Sequence, residues 1–131
     1  MTITFSLQTQ DKRQIIDLTD RVLELLHSQG PKEGACHLFV QHTTAALTVG
    51  EMEEGVIQDF LGFIEKIIPV MQFRHTHKPN HAQDHLIGAL MGPSLTIPIV
   101  AGELMLGTWQ RVMLIELDGP RERTVVVTFI S

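Results

Sequence analysis

Trp109 to Leu117 is the stretch that most limits what this chain can become. In an extended chain Val112 and Leu114 share one face, and Met113, Ile115 and Leu117 share the other. Both sets are apolar, so the strand must be covered on both sides. It sits mid-sheet under a layer on each face, or between a sheet and a subunit interface. Thr124 to Ile130 is a second run of the same kind. Leu95 to Val100 and Glu103 to Leu106 also read as strands. Gly102, Gly107 and Asp118-Gly119-Pro120 separate these segments. The last forty residues are therefore strand-rich.

The preceding residues supply helices as well as strands. Ile3 to Gln8 alternates, with Ile3, Phe5 and Leu7 on one face, and predicts an opening strand. Asp17 or Thr19 can cap a helix to Gln29, with Leu18, Val22, Leu25 and Leu26 inward and Gly30-Pro31 as its stop. Ala35 to His42 predicts a strand whose inner face is Cys36, Leu38, Val40 and His42. Gly50 to Glu54 reads as the acidic start of a helix, continued by Val56, Ile57, Phe60, Leu61 and Ile64 and ended by Pro69. Gln72 to Gln83 is polar and loop-like, and Ala82 to Met91 predicts a short helix. The pattern is α+β in a single domain, residues 1–131, with strands outnumbering helices.

Composition narrows the function classes. With 44% apolar and 19% charged residues over 131 positions, the chain can bury a core of its own. Ten basic residues against fifteen acidic ones, and no basic stripe, argue against a nucleic-acid partner. The apolar runs are too short to span a bilayer, and the N-terminus lacks a signal-peptide layout, so no membrane partner is expected. Cys36 is the sole cysteine, which rules out an internal disulfide. Together these features predict a cytoplasmic protein.

Chemistry points to the histidines. Five of the seven are His42, His75, His77, His81 and His85, and the last four fall within eleven positions. In Gln41-His42-Thr43-Thr44-Ala45-Ala46-Leu47 an imidazole continues an apolar strand face, and two hydroxyls follow where the backbone leaves the strand. Such a site either binds a metal or an anion, or is a hydrogen-bonded histidine at the edge of a core. His75 and His77 share a face if extended, and His81 and His85 share one if helical. Both spacings suit a divalent metal, with His42 as a further ligand. Asp84 either orients His85 or is a first-turn acid, and Glu51 is the acidic residue closest in sequence to the His42 stretch. Cys36 and His37 face opposite ways on a strand and cannot form a nucleophilic pair. There is no phosphate loop with a following lysine and no nucleophile elbow. Trp109 is either a core or interface anchor or a substrate platform. Arg111, Arg121 and Arg123 either meet phosphate or simply charge the terminal hairpin.

Several strings recur together in one known family. They are His42-Thr43-Thr44-Ala45-Ala46-Leu47-Thr48, Arg74-His75-Thr76, and His85-Leu86 with Gly92-Pro93-Ser94-Leu95-Thr96-Ile97-Pro98-Ile99. Leu106-Gly107-Thr108-Trp109-Gln110 and Asp118-Gly119-Pro120-Arg121 complete the set. Over nearly its whole length the chain resembles the YjbQ-type family, small proteins often labelled secondary thiamine-phosphate synthases. It departs from the family where Gly50-Glu51 replaces the usual Asn-Glu, and where His81-Ala82-Gln83-Asp84 precedes His85.

The resemblance implies an α+β fold with a β-sandwich-like core and a few flanking helices, assembled as a homotrimer. It implies that His42, His75 and His85 gather near a subunit boundary around a divalent metal, zinc or magnesium, or around an anion. Glu51, Asp84, Thr43 and Thr44 then become candidates for catalysis, and Trp109, Arg111 and Arg121 for binding a small phosphorylated metabolite. The implied reaction joins a thiazole phosphate to a pyrimidine methyl diphosphate with loss of pyrophosphate. It needs charge neutralisation on the leaving group and no protein nucleophile. The alternatives are a metal-dependent hydrolase of a small phosphorylated metabolite and a non-catalytic trimer that binds a metal or metabolite.

Overall fold

The computed structural model describes residues 1–69, 71–74 and 81–131. In chain order these form β1 (Thr2–Gln8), β2 (Gln14–Asp17), α1 (Thr19–Gln29), β3 (Gly34–Val40), β4 (Ala45–Gly50) and α2 (Glu54–Ile67). α3 (Ala82–Met91), β5 (Ser94–Val100), β6 (Glu103–Leu104), β7 (Arg111–Glu116) and β8 (Glu122–Ile130) follow.

The strands make two antiparallel sheets. One runs β1-β8-β3-β5-β6 and the other β2-β7-β4. The inner faces meet in one core, where Cys36, Leu38, Val40, Val125, Val127 and Phe129 pack against Ala45, Leu47, Val112 and Leu114. α1 adds Val22 and Leu26 to that core. A second core lies behind the smaller sheet, where Ala46, Met113, Ile115 and Leu117 pack against Ile64 of α2 and Ile87 of α3. The layers are thus five-stranded sheet, three-stranded sheet and helices, which is the expected α+β sandwich. β7 is the middle strand of the middle layer, with β2 and β4 on either side. That position accounts for its two apolar faces.

Two strands were not anticipated. β4 occupies Ala45 to Gly50, where the sequence suggests a chain leaving its strand and entering a helix. Its alanines and glycine have weak strand preference, and pairing with β7, Ala45 opposite Glu116 through Gly50 opposite Arg111, is what extends it. β2 is only four residues long and is defined by its register on β7. The second helix starts correspondingly later. Glu53 caps α2, its carboxylate accepting from the N–H groups of Gly55 (2.9 Å) and Val56 (3.1 Å). At α1, Asp17 Oδ1 accepts from the Thr19 N–H (2.9 Å), while the Thr19 hydroxyl accepts from the Val112 N–H (2.8 Å). β7 is shorter than expected, because Trp109 lies before it in a turn.

Candidate functional site

β3 delivers His42 as its alternation requires. Cys36, Leu38 and Val40 are fully buried, and the half-buried His42 stands two residues past the end of the strand. The register opposes Val40 to Val125 on β8. One step further, Gln41 N–H donates to the Thr124 carbonyl (3.3 Å). A hydrogen-bonded antiparallel pair normally returns the second bond to the backbone. Here the returning Thr124 N–H donates to His42 Nε2 (2.9 Å). The imidazole thereby takes the place of a backbone acceptor.

The residue before Thr124 holds the next part of the loop. Arg123 is 1% exposed, and its Nη2 donates to the Thr44 carbonyl (3.0 Å) and to Thr44 Oγ1 (2.9 Å). Its Nε donates to Glu116 Oε2 (2.8 Å), and its Nη2 also reaches Glu116 Oε1. Glu116, fully buried, further accepts from the Thr9 hydroxyl (2.8 Å) and the Asp118 N–H (3.0 Å). Burial alone would raise its pKa. The bonds from Arg123, Asp118 and Thr9 outweigh it and hold the carboxyl below its ordinary range.

α3 brings the second histidine. Gly88 makes the approach possible, since a Cβ there would lie 2.7 Å from the Thr43 carbonyl oxygen. Gly92, at φ +98°, ends the helix, and its carbonyl accepts from the Leu47 N–H (3.1 Å). The two segments enclose a cleft of about 690 Å³. Phe39, Val40, Ala45, Ala89 and Pro93 form apolar walls, and His42, Thr43 and His85 contribute the side-chain polar groups among its described lining along with Gln41. His85 also borders a neighbouring hollow of about 450 Å³ with Phe73 and Arg74.

His42 is neutral in this arrangement. Burial first, then the charges of Arg123 and Arg121, hold its pKa below the ordinary value, while Glu116 pulls the other way. Because Nε2 accepts a hydrogen bond, the ring proton is on Nδ1. A metal ligand must offer a bare nitrogen, and the bare nitrogen of His42 is already engaged. His42 therefore does not fit a metal centre as it stands. His75, the third expected ligand, lies outside the described residues, as does His77.

The remaining candidates fall elsewhere. Asp84 is completely buried and bonds Lys12 Nζ (2.8 Å) and Arg13 Nη2 (3.0 Å), so it docks α3 to the β1–β2 connection. Asp118 takes Lys12 Nζ (3.0 Å), His81 Nδ1 (2.9 Å) and Arg121 Nη2 (3.1 Å). His81, Asp84 and Asp118 have the spacing of a metal group, but the Lys12 ammonium bridges the two carboxylates. Glu51 follows β4 at the end away from His42, about 20 Å along the strand from Ala45. It borders a separate hollow of about 370 Å³ with Asp17, Trp109 and Arg111. Arg111 is held by Asp17 (2.7 Å) and Asp20 (3.1 Å), and Trp109 is 72% exposed. Within one chain these two groups of candidates do not meet.

Sequence reasoning missed the part played by Arg123 and Glu116. The signal was parity, because Arg123 shares its strand face with the buried Val125, Val127 and Phe129.

A family model described as UPF0047 protein YjbQ-like matches residues 3–131. A UPF0047 protein of Archaeoglobus fulgidus is 39% identical over 123 residues, covering 93% of this chain and 95% of its own. The UPF0047 protein YugU of Bacillus subtilis is 30% identical over 129 residues, covering 98% of each. The crystal structure of a hypothetical protein from Aeropyrum pernix superposes with a TM-score of 0.93 at 38% identity, covering 100% of this chain and 98% of that one. A YjbQ/UPF0047 structure from Clostridium acetobutylicum gives 0.90 at 37% identity, covering 98% and 99%.

Proposed function

The chain belongs to the YjbQ-like UPF0047 family, and from that premise we propose that its cleft holds a small phosphorylated heterocycle and supports a weak, secondary thiamine-phosphate synthase activity. The observation that carries this reading is the convergence of His42 and His85, from different elements, on one cleft with apolar walls. Its volume, about 690 Å³, suits a small metabolite. Phe39, Val40 and Pro93 offer surface to a flat ring, and the imidazoles and Thr43 offer polar contacts to phosphate oxygens.

In the proposed reaction the thiazole nitrogen attacks the pyrimidine methylene carbon as the carbon–oxygen bond to diphosphate breaks. The electron pair leaves with pyrophosphate. The protein's share is to align the two rings and offset the growing negative charge with donors and with Arg74 beside His85. The divalent ion implied by the resemblance is proposed to enter on the substrate's diphosphate, where it would supply charge neutralisation.

The same reading takes the protein as a cytoplasmic homotrimer. Among the described residues no helix is long and apolar enough to cross a membrane. Phe39, Leu86 and Leu90 present 41%, 55% and 79% of their surface, and all three lie on the elements that frame the cleft. A partner subunit over that face would cover them.

The test is formation of thiamine phosphate from the two half-substrates by wild type, His42→Gln and His85→Ala, with melting curves for each. Both variants should lose product while melting close to wild type. Undiminished turnover in both would overturn the assignment. Ligand-induced stabilisation without turnover would leave a metabolite-binding module instead.

A further inference from the structure

The two nitrogens of a neutral imidazole do different work. The protonated one donates, and the bare one accepts or ligates. At His42 the backbone has already made that assignment. Gln41 N–H reaches the Thr124 carbonyl at 3.3 Å, and the Thr124 N–H returns to Nε2 at 2.9 Å. The exchange follows from the register of β3 on β8, with Val40 opposite Val125. The ring proton is left on Nδ1, for which no partner occurs among the described residues.

Reversing the tautomer would face Nε2–H against the Thr124 N–H. Two donors would then meet, and a strand amide would lose its partner. A metal on Nδ1 demands that reversal. An anionic oxygen demands nothing, because it accepts the proton already there. Arg123 is held by Thr44 and Glu116, and Arg121 by Asp118, so the cations near His42 are tied up in ion pairs, and it is the Nδ1–H donor itself that selects an anionic oxygen.

We propose that His42 is the fixed donor of an oxyanion seat, its Nδ1–H bonding a phosphate or diphosphate oxygen in the cleft, and that it does not ligate a divalent metal. This rests on the reading of the cleft as a site for a phosphorylated ligand, and it goes further in naming the atom, its protonation and the excluded alternative. It also makes β8 the positioning element. Thr124 sets the tautomer through its amide, and Arg123 holds the neighbouring Thr44.

The test is two-bond proton–nitrogen correlation of the ¹⁵N-labelled imidazoles at neutral pH. Spectra are taken on the free protein, with inorganic pyrophosphate, and separately with zinc. The free protein should show His42 as the Nδ1–H tautomer. Pyrophosphate should shift its Nδ1 signal without changing the tautomer, and zinc should leave both signals in place. Two variants separate donor from acceptor. His42→Gln puts an amide oxygen where Nε2 accepts from Thr124, so it should fold as wild type and bind pyrophosphate at least about tenfold more weakly. His42→Asn puts an amide N–H where Nδ1 donates, so it should keep affinity within a few-fold but melt lower.

An Nε2–H tautomer in the free protein would overturn the proposal, as would zinc moving the His42 signals. Wild-type protein that fails to bind pyrophosphate would overturn it as well. If pyrophosphate binds as described and no thiamine phosphate forms, the synthase reading fails while the oxyanion seat stands.

Discussion

Glu116 and Arg123 are the residues on which the most depends for their size. Their side chains are 0% and 2% exposed, and each is satisfied by the other and by Thr9, Thr44 and the Asp118 amide. Two charges taken out of water recover their desolvation cost only through such complete pairing. Removing one charge strands the other. Glu116→Gln should destabilise the protein by about 3–5 kcal/mol in urea unfolding. A loss under 1 kcal/mol would show that the guanidinium finds water or another partner. Replacing both with apolar residues of similar volume should cost far less than the single change, because no buried charge remains. The pair also shows what kind of residue is hard to read from a sequence. Arg123 stands at the edge of a hairpin, where charge is ordinary, and only the alternation through Val125 to Phe129 points it inward.

At the scale of elements, α3 is the part whose placement makes the cleft. Two devices seat it. Gly88 lets the helix approach the Thr43 carbonyl, and Asp84 ties its first turn to Lys12 and Arg13. Gly88→Ala would gain up to about 1 kcal/mol in helix propensity, yet its Cβ would lie 2.7 Å from a backbone oxygen. Overpacking of this kind costs about 1–3 kcal/mol, so the variant should melt lower and weaken pyrophosphate binding as α3 is pushed away. Unchanged melting and binding would mean that helix and loop shift apart freely.

The Lys12 cluster gives α3 a pH dependence. Burial would raise the pKa of Asp118, but the bonds from Lys12, Arg121 and His81 bring it down to about 2 from an ordinary 3.8. A carboxyl depressed on folding stabilises the native state above its unfolded pKa, and that contribution drains as pH falls through the folded value. Stability should therefore decline between about pH 4 and pH 2. Lys12→Met should flatten that decline, because less shift remains to be lost. A thermal melt series over this range checks it, and parallel slopes for the two proteins would contradict it.

The whole molecule is three layers with apolar surface left over. Phe39, Leu86 and Leu90 remain open around the cleft after both cores are filled. The proposed homotrimer would cover such surface without a separate partner. Leu90→Glu should then lower the mass in sedimentation velocity from three chains towards one, with the chain still folded, because Leu90 belongs to neither core. A wild-type protein sedimenting as a single chain would remove the trimer from the functional reading. Charged Glu51, exposed Trp109 and paired Arg111 occupy the other end of β4, so any role for them at the cleft would come from a neighbouring copy.

The sequence alone determined what depends on local order. Period-two alternation placed Cys36, Leu38, Val40 and His42 on one face, the doubly apolar β7 demanded cover on both sides, and motif strings identified the family. It did not disclose β4, because its alanines and glycine have weak strand preference and β7 imposes the strand through pairing. Nor could it show that Asp84 is an anchor, since an acid in a first helical turn looks the same whether solvated or bonded to Lys12 and Arg13. The protonation of His42 was likewise beyond it. That depends on a single amide, Thr124, 82 residues away, which the register of β8 on β3 sets against one ring nitrogen. Local pattern specifies which side a residue faces, and only long-range pairing specifies what it meets there.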